Sequence, residues 1–492
     1  MTRALFLAEV RRLARSPIPW AAAALCLGLR LAATWELLPD MSVEPVGTSG
    51  ALLLLAAAMM LSAHLATSRD VRGGMGETLA AVPGRAARRT AAALAASVTV
   101  GTGLASAVMA AYLLARQAMG PVAGVLDPFE AIGGVLAVPF AAALGVLLGR
   151  WAPRPVAVPL TVFLIGAFTW LNGQQSGYGG WFLPVVLFHQ PDWPPRPSAE
   201  HVVYLVAAVA LFAALALLRH GRTWPRLAAA GAAAAVAVTT GTAATAAAPG
   251  GEMNTAQLKG PEASFALMGA QVRERFFGPG ARRCEKHGPV TYCAYRDYAA
   301  WIPEWVSAVD PVMRALPPAE RGRFPTVGQL TDSWWHVDGD EELSAARFTF
   351  MVWGRAGAED AYRGVLASQV VRSVTALLPQ GRAGCDARGQ SRAVIGLWLL
   401  GQAVPPAPPR DRQVQIGSSV FAEERSPLGA IRYGAAELGY ARRLLAAPDA
   451  KQRIWAHWDT LVKPGTTVEQ ALPLLGLRPE FAAEPPVGQP CS

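Results

Sequence analysis

The apolar positions of this chain fall into two regimes. Up to about residue 248 they come in long, nearly unbroken runs; beyond it they are spaced for amphipathic helices and short strands. A helix crosses the hydrocarbon core of a bilayer in about 20 apolar residues. Runs of that kind lie near 17–38, 48–68, 90–115, 129–149, 155–172, 201–218 and 227–248. The fifth is short and holds Pro155 and Pro159, tolerated in a membrane helix when neighbours re-satisfy the backbone. The seventh is mostly Ala with Thr239, Thr240, Thr242 and Thr245. It reads as a span whose small residues pack against other helices; the competing readings are an exposed linker or a cleavage region ending at Ala246–Ala248.

Ahead of the first run, residues 2–15 predict an amphipathic helix. At about 100° per residue, Phe6, Leu7, Val10, Leu13 and Ala14 share one arc, while Glu9, Arg11, Arg12 and Arg15 face away. A basic amphipathic helix beside a span is expected to lie in the interface. The plainer alternative is an extension of the first span, against which Pro17 and Pro19 predict a break. After a linker at 249–261, helices are expected near 262–277, 298–316, 356–378, 391–403, 429–446 and 448–462. Strands are expected near 290–295, 345–353 and 413–421.

Charge sharpens the division. Residues 1–248 hold seventeen Arg, no Lys and ten acidic residues, whereas 249–492 hold twenty-seven basic and twenty-five acidic ones. With a cytoplasmic N-terminus, fourteen of the seventeen Arg fall on the cytoplasmic side. Arg116 and Arg196 fall outside, Arg30 lies within the first span, and the first outer loop carries Asp40 and Glu44. Seven spans then place residues 249–492 outside the cell. Cysteine usage agrees: Cys26 sits in an apolar run, and Cys284, Cys293, Cys385 and Cys491 all lie in the polar half, where two disulfides fit an oxidising compartment. Local spacing favours Cys284–Cys293 across a Gly–Pro turn, which leaves Cys385–Cys491. No C-x₂₋₄-C spacing or His pair suggests a metal. A nucleic-acid partner would require a basic stripe on the polar half, and none is visible.

The loop Arg69–Thr90 reads RDVRGGMGETLAAVPGRAARRT: a short helical stretch at Glu77–Val82, then Pro83–Gly84, then a basic run into the next span. An amphipathic N-terminal helix, two spans, then R-x-x-G-x-x-E-x-L-x-x-x-P with following basic residues resembles the permease subunits of type-2 ABC transporters. The likeness is to the actinobacterial-type group with a fused C-terminal extracytoplasmic domain, and it covers roughly residues 1–220. The resemblance implies that this loop carries the coupling helix that docks on the ATPase, with Arg72, Glu77, Leu79 and Pro83 in the docking segment. The Cys284–Cys293 stretch and the helix after it are also similar to the extracytoplasmic portion of that group. A seventh span and a large C-terminal domain depart from the six-span family core. No G-x-x-x-x-G-K-[ST] occurs, so ATP would bind a separate ATPase subunit.

Ionisable residues at membrane depth are functional candidates by default. Arg30 is read here as an anchor that snorkels or meets Glu36 or Glu44, and His64 as a buried, hydrogen-bonded histidine. Gly145 and Gly149 form a small-xxx-small face suited to close helix packing. The loop 172–201, with Tyr178, Trp181, Phe182, Phe188 and Trp193, suits the membrane interface. In the polar half, the stretch YRDYAAWIPEWVSAVDPVM is read as core rather than a ligand cage. His336, beside Asp338, Asp340, Glu341 and Glu342, lacks the Gly-centred register of an EF-hand and reads as a solvated loop. His457 and Asp459 have no identifiable nucleophile, and neither H-E-x-x-H nor G-x-S-x-G occurs.

The expected fold class is a polytopic α-helical membrane domain of six to seven transmembrane helices, followed by a mainly helical α+β extracytoplasmic domain. Residues 1–16 form the interfacial helix, 17–248 the membrane domain, 249–261 a linker and 262–492 the outer domain. The expected function is the permease subunit of an ATP-driven exporter in the cell membrane. It would act as a homodimer or heterodimer of permeases with a separate ABC-type ATPase, and would be no enzyme itself, with no metal or cofactor of its own. The alternatives are a membrane-anchored receptor or cell-envelope assembly protein with a ligand-binding ectodomain, and a cell-envelope enzyme.

Overall fold

A computed structural model describes residues 2–75, 86–176, 185, 189–245, 261–322, 326–331, 347–349, 351–377, 384–408, 411–416, 419–424, 427–429, 431–482 and 484–491. The chain is mostly helical and divides into two compact units. The first comprises residues 1–35, 39–120 and 124–272; the second comprises 36–38, 121–123 and 273–492.

The first unit contains α1 (Thr2–Arg15), α2 (Pro17–Thr34), α3 (Glu44–Arg72), α4 (Ala86–Gln117), α5 (Pro128–Trp151), α6 (Ala157–Ser176), α7 (Ser198–Leu218) and α8 (Trp224–Thr245). Among the described residues six helices, α2 to α5, α7 and α8, are long and apolar enough to cross a membrane. The remaining candidate, near 155–172, corresponds to α6, whose apolar stretch Ala157–Leu171 is shorter. The break between α1 and α2 falls at Ser16, which is extended (φ −74°, ψ 129°). Pro17 then opens α2 at its first position, where a missing N–H costs nothing. Asp127 caps α5 by accepting from the Phe129 amide at 2.8 Å.

The central pair is α3 against α5. A Cβ at Gly134 would strike the Ser49 hydroxyl, one at Gly145 the Met60 carbonyl, and one at Gly149 the Thr67 Cβ at 2.8 Å. Three glycines along one helix therefore let the two helices approach closely at three points. Around this seam Leu52, Leu55, Met59, Leu104, Val108, Val138 and Ala142 form the core. The Thr-rich α8 hides its hydroxyls on its own backbone: Thr239, Thr240 and Thr242 donate to the carbonyls of Ala235, Val236 and Val238 at 3.0, 2.7 and 2.9 Å. With the hydroxyls satisfied inside the helix, its barely apolar composition is compatible with a lipid environment.

The second unit holds a four-stranded sheet in the order β1 (Arg282–His287), β2 (Val290–Tyr295), β3 (Thr326–Gln329), β4 (Arg347–Thr349). β1 and β2 pair antiparallel, and the other two pairs are parallel. Gly288, with φ +59°, makes the tight β1–β2 turn. Cys284 lies directly opposite Cys293 in the register, and the two are bonded. Helices α9 (Ile302–Ala315), α10 (Glu359–Val374), α11 (Ser391–Leu400) and α12 (Ala435–Ala446) build the rest of the core, and every residue of α11 is buried. Tyr298, Trp301 and Trp305 are buried too, so the aromatic stripe is core. Leu38 N donates to the Trp353 carbonyl and Arg355 N to the Glu36 carbonyl, each at 2.8 Å, and Trp301 Nε1 donates to the Pro121 carbonyl at 2.9 Å. These bonds tie the segments 36–38 and 121–123 into this unit.

Three sequence readings of this region need correction, the first being the helix expected near 429–446, which begins only at Ala435, after a strand at Ile431–Arg432. The single strand expected near 413–421 is a hairpin, β6 (Asp411–Ile416) with β7 (Ser419–Glu424). The helix expected at 448–462 is two short ones, Ala450–Ala456 and Trp458–Leu461, broken at His457. The last residues are fastened by a second disulfide, Cys385–Cys491. β5 (Cys385–Asp386) pairs parallel with β8 (Ile431–Arg432). The buried Asp386 accepts from the Val487 amide at 2.7 Å and from Arg388, and Arg392 donates to the Cys491 carbonyl. Burial alone would raise the Asp386 pKa, but these bonds to its ionised form outweigh that and hold it below the ordinary carboxylate value.

Candidate functional site

Clusters of ionisable side chains bind helix ends together in the first unit; at the starts of α5 and α7 Arg196 donates to Glu130 at 2.6 Å, and two further clusters join more helices. One is at the Arg-rich end. Arg69, in the last turn of α3, donates to Glu9 of α1. Asp70 stands 3.7 Å from Arg150 at the end of α5, and Thr90 of α4 is hydrogen-bonded to His220 at 2.8 Å. Glu9 was expected to face away with the arginines; its side chain is only 13% exposed, because Arg69 draws it inward. Of the proposed apolar arc, Leu13 is buried, Phe6 and Val10 are half-buried, and Leu7 and Ala14 are exposed. Arg72 is exposed, and its Nη2 donates back to the Leu65 carbonyl at 2.8 Å. Glu77, Leu79 and Pro83, the rest of the proposed docking segment, lie outside the described residues.

The second cluster occupies the opposite ends of α2, α3 and α4. Glu44 is the first residue of α3 and 3% exposed. Its Oε1 accepts from Arg116 Nε at 2.7 Å; its Oε2 accepts from Arg30 Nη2 at 3.0 Å and from the Tyr112 hydroxyl. Arg116, 1% exposed, also donates to the Thr34 carbonyl at 2.9 Å. The Thr34 and Tyr112 hydroxyls are 3.1 Å apart, and the Arg30 guanidinium stands 5.4 Å from the Tyr112 ring centroid. One carboxylate thus faces two guanidinium groups at a helix N-terminus, which itself favours negative charge. This is a lock of three helix ends rather than a reactive constellation.

The sequence had assigned Glu44 to a solvent-facing loop and Arg116 to the outside charges. Both are interior because α3 and α4 extend past their apolar runs and bring residues 72 positions apart into contact. The available signal was charge at the edges of three apolar runs, and only the pairing Arg30–Glu44 was anticipated. His64 is fully buried, yet neither ring nitrogen makes a hydrogen bond of normal geometry among the described residues. Ser68, one helical turn on, donates to the His64 carbonyl at 2.7 Å.

In the second unit, His457 and Asp459 are exposed, and His336 with its acidic neighbours lies outside the described residues. Among the described residues no group of His, Cys, Asp and Glu is arranged to hold a metal ion. Comparison with known protein families, curated proteins and solved structures gives no match.

Proposed function

We propose that the chain is the membrane-spanning permease subunit of an ATP-driven ABC exporter, powered by an ATPase on a separate polypeptide. The observation that carries this reading is the tie between Glu9 and Arg69. It fastens the amphipathic α1 to the root of the 69–90 loop, whose sequence resembles a coupling segment. Hydrolysis outside the membrane performs work inside it only through a stiff contact. The Glu9–Arg69 bond fixes the start of that loop at the end of α3, and α4 begins beyond it at Ala86. The six helices of spanning length support the membrane setting. The two disulfides of the second unit support an extracytoplasmic C-terminal domain.

The test is co-purification of the full chain with any ABC-type ATPase that its gene neighbourhood encodes. Glu77→Lys would replace attraction for a basic or N–H donor on the partner by repulsion, a loss on the order of 1.5–3 kcal/mol. The expected outcome is normal membrane insertion with reduced ATPase recovery and stimulation. Glu36→Lys is the control, since Glu36 is exposed; Glu44 is unsuitable because it is buried between arginines. Full recovery of partner and activity by Glu77→Lys would remove coupling from this loop. If wild type recovers no ATPase, a membrane-anchored receptor with a ligand-binding ectodomain becomes the better reading.

A further inference from the structure

The Arg-rich end of the first unit carries more buried positive charge than its carboxylates balance. Arg89 is half-buried on α4, its Nε is shielded from solvent, and it makes no hydrogen bond or ion pair among the described residues. Arg150, at the end of α5, has a shielded Nε without a partner, and its nearest carboxylate, Asp70, is 3.7 Å away and shared with Arg69. Thr90, next to Arg89, is hydrogen-bonded to His220 at 2.8 Å, and Trp151, next to Arg150, donates to the Leu215 carbonyl at 3.0 Å, so both arginines stand at the same ends of α4, α5 and α7. His220, hydrogen-bonded to Thr90, is an imidazole and brings no negative charge. Arg89, without a partner among the described residues, and Arg150, which shares its one carboxylate with Arg69, leave a surplus of positive charge that calls for an anion, and the planar donor fork of arginine suits phosphate oxygens.

Tryptophans at the same helix ends indicate the anion's source. Trp151 follows Arg150 directly; its indole donates to the Leu215 carbonyl at 3.0 Å and its ring lies under Arg219. Trp224, which opens α8, is 84% exposed. Tryptophan concentrates at headgroup depth, so the arginines sit where lipid phosphates are. We propose that Arg89 and Arg150 together bind the phosphate group of an anionic membrane lipid at this end of the helices. The inference requires that the helices lie in a bilayer, but it does not depend on the transport reading.

The experiment uses the full chain in detergent micelles supplemented with phosphatidylcholine and phosphatidylglycerol. Lipid retention is read by native mass spectrometry and stability by thermal melting. Wild type should retain phosphatidylglycerol in preference to phosphatidylcholine and melt higher with it. Arg89→Gln and Arg150→Gln should each weaken retention on the order of tenfold. Arg222→Gln, at an exposed loop position, should retain it unchanged. Inorganic phosphate should neither displace the lipid nor raise the melting temperature. Displacement by phosphate would assign the site to a free anion and overturn the lipid proposal. Equal retention by both glutamine variants would overturn it as well. Should either variant fail to fold, the wild-type comparison still decides: no preference for phosphatidylglycerol over phosphatidylcholine rejects the site.

Discussion

Glu44→Gln is the most direct probe of how the first unit is held together. The substitution keeps the shape of the side chain and removes one charge. In the native protein that charge meets Arg116 at 2.7 Å and Arg30 at 3.0 Å, with Arg116 only 1% exposed. Without it, two guanidinium groups remain around the vacated charge, that of Arg116 buried and that of Arg30 partly exposed. Breaking a buried ion pair from one side costs about 3–5 kcal/mol, because the surviving charge is left uncompensated. At roughly 2–4 °C per kcal/mol for a unit of this size, the melting temperature should fall by roughly 6–20 °C. The assay is thermal unfolding of the purified chain in detergent, with Glu200→Gln, exposed at the start of α7, as the surface reference. Adding Arg116→Gln to Glu44→Gln should recover part of the loss, since it removes the stranded charge. A Glu44→Gln shift no larger than that of Glu200→Gln would be incompatible with a charge-compensated lock, as would a double variant whose losses simply add.

Two further outcomes are expected. The Cys385–Cys491 bridge closes a separation of 106 residues and Cys284–Cys293 one of 9; on chain entropy they restrict the unfolded state by about 4.8 and 2.7 kcal/mol. Replacing the first pair by serine should therefore lower the melting of the second unit more than replacing the second pair, and the opposite order would refute the loop-length argument. A phosphatase reporter fused after residue 260 should be active; a fully expressed but inactive fusion would place the C-terminal domain on the cytoplasmic side.

Much of the architecture was legible in the apolar pattern. A helix in lipid must satisfy its backbone internally, so a run of about 20 apolar residues specifies its own structure without reference to any neighbour. That is why the helices at 17–34, 128–151 and 198–218 lie close to their predicted bounds, and why Pro17 marks the α1–α2 break. The β1–β2 hairpin was local as well, set by Gly288–Pro289 between two strands. The glycines at 145 and 149 announced close packing, but not that the Met60 carbonyl and Thr67 would be what they pack against.

What the tertiary structure alone decided was the partnership of distant polar groups. Glu44 beside Arg116, Glu9 beside Arg69 and Asp386 beside the Val487 amide join residues 72, 60 and 101 positions apart. A lone charge at the edge of an apolar run looks the same in sequence whether it faces water or another charge. The difference is made by which helices pack together, and that is settled by the shape of whole faces, such as the glycine-lined contact of α3 with α5. Desolvation then makes each buried charge depend on its partner, so the feature least visible in the sequence bears most heavily on stability.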